Sequence, residues 1–201
     1  MNRDILSDIF LKVKLDHPMI FYVKTLLYRT PQGGRNITVI PTYSFKKSQT
    51  EEMTKAVLAH VNKITAPAAE IDEIKKERYV HDYIIEHALY DKLKKHYSHE
   101  VTGLLFHGIS VCEGIAKTAK LLFDALDMNS LVVIGDAGGT RHAWNIVYHS
   151  GIPYHLDITF DRSLKMRNED PYRYFNRSDA EISATHQNIT FPVPVCGQSM
   201  Q

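Results

Sequence analysis

The spacing of apolar positions changes period several times along the chain, and the changes mark out its elements. Over residues 3–14, Ile5, Leu6, Ile9, Phe10 and Val13 recur on one helical face, and Pro18 follows where such a helix would end. "FYVKTLLYRT" and "NITVIPTY" are β-rich runs split by "PQGGR", the pattern of a hairpin with a glycine turn. Two helical stretches follow, 50–64 and 69–95, parted near "TAPA". In the second, Val80, Ile84 and Leu89 stand among charges at near-helical spacing, as on an amphipathic layer. From 112 to 128, Ile115, Ala119, Leu122 and Leu126 form an i, i+4, i+7, i+11 stripe flanked by Ala116 and Phe123, which predicts a helix packed deep against a sheet. Three β runs come next, "SLVVIG", "HAWNIVYH" and "PYHLDITF", and after Asp161 the sequence turns polar and irregular. The loop "DAGGTR" between the first two lacks the lysine and hydroxyl residue of a phosphate-binding loop and reads as a flexible turn.

Composition narrows the partners more than the fold. At 201 residues, without repeats or long linkers, the pattern predicts one domain over 1–201. With 44% hydrophobic and 23% charged residues and a net charge of +1, the chain reads as a globular protein with no field for gathering nucleic acid or acidic membrane. Charges at Arg3, Asp4, Asp8, Lys12 and Lys14 break up any signal-peptide core, and no 18-residue apolar run follows, so the expectation is a soluble, intracellular protein. A chain trimmed of a leader would read the same. Two cysteines, Cys112 and Cys196, make no disulfide framework.

Cys112 opens the apolar-striped helix. "SVCE" fits a capping box with Ser110 as N-cap and Glu113 reaching back, which places the thiol in the first turn. There the helix dipole favours thiolate, and backbone N–H groups stand ready for an oxyanion. A free cysteine is also a common buried filler, so a base is needed to tell the two apart. "HAWNIVYHSGIPYHLDITF" reads as two strands joined by a short turn near Ser150 and Gly151; a two-residue turn puts His142 and Asp157 on one face, paired or one step diagonal. Cys112, His142 and Asp157 then form a nucleophile, base and orienter in that order, conditional on that register. A second grouping, His142, His155 and Asp157, has the donor types of a metal site but no supporting spacing motif. Trp144 and Tyr154 read as core aromatics or pocket walls, His81 and His87 as surface or packing residues, and Cys196 as structural or exposed in a loop.

"GISVCEGIAKTAKLLFDALDM" followed by "RHAWNIVYHSGIPYHLDITFD" resembles the transglutaminase-like superfamily, with its C-x-G-x-A helix, H-A-W-N strand and Y-H-x-D strand in that order. "VHDYIIEHALYD" is similar to the helix before the cysteine in bacterial members, and "YRYFNRSDAEISATH" to their tail after the last strand, so the resemblance spans about 80–186. It implies an α+β, papain-like fold: a central helix with an N-terminal cysteine on an antiparallel sheet, with 1–70 as an N-terminal extension. It also implies Cys112 as nucleophile, His142 as general base and acid and Asp157 as orienter, acting on a peptide or protein amide with no cofactor or metal. Hydrolysis is expected over cross-linking, and a catalytically silent binding module of the same fold is the alternative. Where papain-like enzymes place a glutamine before the cysteine this chain reads "LLFHGIS", leaving His107 as the nearest second oxyanion donor, and Asn129 stands where the family ends its helix on glycine.

Overall fold

The computed structural model describes residues 3–29 and 37–200, and the "PQGGR" turn lies outside them. Helix α1 (Arg3–Asp16) is followed by the antiparallel pair β1 (Val23–Arg29) and β2 (Thr38–Tyr43), then by helices α2 (Lys47–Thr65) and α3 (Glu73–His87). A short strand β3 (Leu89–Tyr90), helix α4 (Val101–His107) and strand β4 (Ile109–Ser110) lead into α5 (Cys112–Ala125), with β3 and β4 paired in parallel. Strands β5 (Ser130–Ala137), β6 (Thr140–His149) and β7 (Ile152–Leu156) precede helices α6 (Ile158–Lys165) and α7 (Asp179–Ile182) and a last strand β8 (His186–Gln187). The sheet is antiparallel in the order β7-β6-β5-β8. The fold is thus α+β, with the cysteine-bearing helix at its centre. Among the described residues no helix is long and apolar enough to cross a membrane.

Helix α5 has no solvent face over its middle: Gly114 through Phe123 are all buried. Ala116 meets Val132, Ile134 and Ala143 of the sheet, while Ile115, Ala119, Leu122 and Phe123 join Val57, Val61, Val80, Ile84 and Leu104 from the surrounding helices. The expected stripe is therefore one side of a rod buried all round. Lys117 is buried within it because its ammonium finds Glu113 at 2.7 Å and Glu100 at 3.1 Å, and Glu100 holds Lys14 of α1 with its other oxygen. Four alternating charges in a line satisfy one another where a single one would be costly.

Several expected elements differ in detail. On α1, Leu6 is buried but Ile5, Ile9 and Val13 are exposed; the inward side is the one bearing Leu15, which packs beside α5 and the sheet. Helix α3 stops at His87 rather than near 95, and Leu89 is exposed on β3, because the chain turns there to pair with β4. Strand β7, the last of the three expected β runs, ends at Leu156, and Ile158 begins α6 because the Asp157 side chain accepts from the Phe160 N–H as its N-cap. Ser110 does not cap α5. It lies buried in β4 with its hydroxyl donating to the Ser98 carbonyl, while Glu113 turns to Lys117 and His99. The left-handed residue after α5 is Asp127 (φ 57°), not Asn129; the Met128 N–H then reaches back to the Phe123 carbonyl at 2.9 Å.

Gly114 is required by close approach. A Cβ there would stand 2.3 Å from both the Ser110 hydroxyl and the Ser98 carbonyl oxygen, in the loop that seats the start of α5. Gly114→Ala should destabilise the protein by about 2 kcal/mol, through overpacking against backbone that cannot yield. Thermal unfolding followed by circular dichroism should show a drop of about 4–8 °C for a chain of this size; an unchanged midpoint would contradict the packing described.

Candidate active site

Register decides whether the three expected residues meet. β6 and β7 pair His149 with Ile152 and Asn145 with Leu156, so the turn is the two residues Ser150 and Gly151, both with positive φ. Extending that pairing sets Asp157 across from Trp144, one step diagonal to His142. The His142 Nε2 lies 2.8 Å from Asp157 Oδ2. The Asp157 carboxylate is fully buried and also accepts from His186 Nε2 at 2.9 Å. Burial alone would raise its pKa, but His142 and then His186 hold it at about 2. A carboxylate that stays ionised only accepts, so each ring nitrogen facing it carries a proton.

With Nε2 committed to Asp157, the other nitrogen of His142 remains for Cys112, and the two side chains share one cleft and interact electrostatically. Burial opposes a charged imidazole, yet Asp157 and the thiol together raise the His142 pKa to about 10. The half-buried Cys112 thiol is pulled the opposite way: burial disfavours its anion, but His142 and the N–H groups of Ala143 and Glu113 bring its pKa below the ordinary thiol value. Such opposed shifts describe a thiolate–imidazolium pair.

Two supports were not anticipated from sequence. Tyr90 reaches the site because β3 pairs with β4, Tyr90 opposite Ser110, two residues before the cysteine. Its hydroxyl faces Cys112 across the same cleft, and burial followed by the neighbouring thiol raises its pKa. His107 is not at the site; its ring stacks on Tyr97 with centroids 4.5 Å apart. Asn145, from the H-A-W-N run, donates to the Ala116 carbonyl at 3.0 Å and the Leu131 carbonyl at 3.2 Å, which ties α5 to the strands that carry His142. Three residues from His142 on one strand, Asn145 falls on the opposite face, and no local signal names its partners.

Cys112 opens into a cleft of about 220 Å³, walled by Tyr90 and Lys94 on one side and by Arg141 and His142 on the other. A roomier depression of about 690 Å³ beside Glu73, His149 and Tyr154 holds no cysteine and no part of the Cys112 cluster. The metal grouping expected of His142, His155 and Asp157 does not form: His155 turns to Asp179, and the third residue at Asp157 is His186. His142, Asp157 and His186 bring one ligand atom each within 4.8 Å of one another. A second cluster, His155, Asp179 and Cys196, is chemically different from the first. Trp144 Nε1 can only donate, so His155 Nδ1 accepts at 3.0 Å, and Nε2 must donate to Asp179 at 2.8 Å. No lone pair is left to draw a proton from Cys196, which is buried and pushed up to about 12 by that burial and by Asp179. Cys196 is a packed residue beside Trp144, Val133 and Ile182.

A family model described as the transglutaminase-like superfamily matches residues 42–158, more than half of the chain. That span includes Cys112, His142 and Asp157 and stops short of His186. A solved structure described as a TGase is 16% identical, with a TM-score of 0.49, over 68% of this chain and 44% of its own. A protein from Cytophaga hutchinsonii, provisionally described as a cysteine protease, is 12% identical, with a TM-score of 0.44, over 68% of this chain and 62% of its own. The chain thus spans less than two thirds of either. No curated protein matches it.

Asp157 has a pH signature of its own. Its folded pKa near 2 lies below the unfolded carboxylate value, so its contribution to stability is complete above about pH 4 and is lost as pH falls through 2. Asp157→Asn should therefore lower stability at pH 7 by about 2 kcal/mol and flatten the acid limb between pH 4 and 2, as read by urea unfolding across that range. In the same variant the Cys112 thiolate absorbance should titrate at higher pH than in the wild type, because the imidazolium beside it has lost its counter-charge.

Proposed function

This chain belongs to the transglutaminase-like superfamily, and from that premise we propose that it is a thiol enzyme that breaks an amide bond, with Cys112 as nucleophile, His142 as acid and base and Asp157 as orienter. One observation carries the reading: the His142 ring is divided between the Asp157 carboxylate, 2.8 Å away, and the Cys112 thiol. The thiolate attacks the amide carbonyl carbon, a C–S bond forms, and the carbonyl electrons move to oxygen. The Cys112 N–H receives that oxyanion, and the Tyr90 hydroxyl, which lines the same cleft, donates to the same oxygen. The His142 imidazolium then passes its proton to the leaving amine as the C–N bond breaks. The neutral imidazole takes a proton from water, the hydroxide attacks the thioester carbonyl, the C–S bond breaks, and the acid leaves with the Cys112 thiolate and His142 imidazolium restored. An amine in place of water would give transfer rather than hydrolysis; the cleft is reached from solvent, which favours water.

The Tyr90 contact also favours a second reading. If the hydroxyl instead stays against Cys112 and blocks the oxyanion position, the site binds without turnover. Iodoacetamide separates the two: on the enzyme reading Cys112 alkylates rapidly near pH 7 and the buried Cys196 at least a hundredfold more slowly, by mass spectrometry of the labelled peptides. Equal sluggishness of both thiols would leave the binding module.

Profiling against peptide and amide libraries should show turnover in the wild type and none above background in Cys112→Ala. Turnover should fall on the acid side as Cys112 takes up a proton below its ordinary range, and on the alkaline side as His142 loses its proton near pH 10. Tyr90→Phe should lower kcat on the order of a hundredfold with a smaller change in KM, the signature of a donor used in the transition state.

A further inference from the structure

The charges around the Cys112 cleft do not cancel. His142 and Cys112 form a pair with no net charge, and the ionised Asp157 behind the imidazole is fully buried and does not line the cleft. Glu113, which also lines the cleft, is answered by Lys117 and belongs to the alternating line Lys14, Glu100, Lys117 and Glu113, two positive and two negative. His99 meets the same Glu113 at 3.2 Å. Two charges of the lining remain, Lys94 and Arg141, both cations and both exposed. Neither has a carboxylate within 4.0 Å among the described residues. Asp136, directly across the strands from Arg141, is instead held by the Asn188 amide at 2.8 Å.

The two cations come from separate segments, each with its backbone held in place. Lys94 has φ +49°, a left-handed conformation uncommon for a side-chain-bearing residue. The loop keeps it there because the Asp91 carboxylate accepts from the Leu93 and Lys95 N–H groups and the Ser98 hydroxyl, at 3.0, 2.7 and 2.8 Å. Arg141 stands near the start of β6, just past the Gly138–Gly139 turn and next to His142. The cleft thus presents two exposed cations, neither in an ion pair among the described residues, along with the nucleophile.

We propose that this site takes anionic substrates, amides carrying a carboxylate close to the scissile bond, with Lys94 and Arg141 as the residues that select them. The proposal rests on Cys112 being the nucleophile. A cation at several ångströms in a water-exposed cleft is worth a few-fold in the local concentration or rate of an anion, and salt removes it.

The matched reagents iodoacetate and iodoacetamide read this field directly, since they differ in charge and alkylate the same sulfur. At low ionic strength the iodoacetate-to-iodoacetamide rate ratio at Cys112 should fall about threefold in Lys94→Gln and in Arg141→Gln, and about tenfold in the double variant. The wild-type ratio should fall similarly between 0.02 and 0.5 M NaCl, a measurement that needs no variant. A ratio unmoved by either substitution and by salt overturns the proposal while Cys112 remains the reactive thiol; a Cys112 that neither reagent labels overturns the nucleophile reading beneath it. Protection against iodoacetamide by N-acetylaspartyl methylamide or by N-acetylglycylglycine then tells whether the carboxylate comes from a side chain or a chain terminus. Equal protection by neutral N-acetylalanyl methylamide counts against the proposal.

Discussion

A carboxylate without solvent has to be neutralised by what surrounds it, and Asp157 organises this end of the molecule for that reason. One oxygen caps α6 through the Phe160 N–H, and the other accepts from His142 on β6 and His186 on β8. Three elements distant in sequence are thereby joined at one side chain. The tautomer of His142 is set by the same contact, and with it the nitrogen that meets Cys112. Removing the charge would loosen the sheet edge and disarm the imidazole together.

The second constraint is the burial of α5. A helix enclosed all round can hold its first residue in a constant position only if its polar groups are satisfied inside, and the Lys117–Glu113–Glu100–Lys14 line does this while tying α1 to the core. Asn145 bridges from β6 to a carbonyl of α5, and Gly114 lets the Ser98 loop approach without a Cβ between. The thiol and the imidazole come from elements locked to each other at several points. A thiolate–imidazolium pair needs that kind of preorganisation, because small displacements weaken a hydrogen bond steeply.

The two cysteines illustrate how a shared set of residue types acquires different chemistry. Both have a histidine and an aspartate nearby. Around Cys112 the imidazole gives its proton-bearing nitrogen to the carboxylate and keeps the other for sulfur; around Cys196 the Trp144 N–H consumes the acceptor nitrogen of His155. One thiol is drawn down and the other pushed up to about 12. Proximity of residue types is therefore insufficient, and the direction of each hydrogen bond decides.

Sequence alone determined the central helix with Cys112 in its first turn, the antiparallel strands after it and, given a two-residue turn, a shared sheet face for His142 and Asp157. These follow from local rules: a 3.6-residue stripe, period-two alternation, and a two-residue turn whose register is set by Ser150 and Gly151. Its misreadings fell where local preference met a distant partner. Ser110 has the chemistry of an N-cap but was claimed by a strand pairing and the Ser98 carbonyl, and the apolar face assigned to α1 was judged without knowing which side the core would occupy. Tyr90, His186 and the balance of charge at the cleft were beyond reach for the same reason. Each depends on contacts between segments far apart in the chain, whose geometry is fixed by packing of the whole and leaves no periodic trace in any one segment.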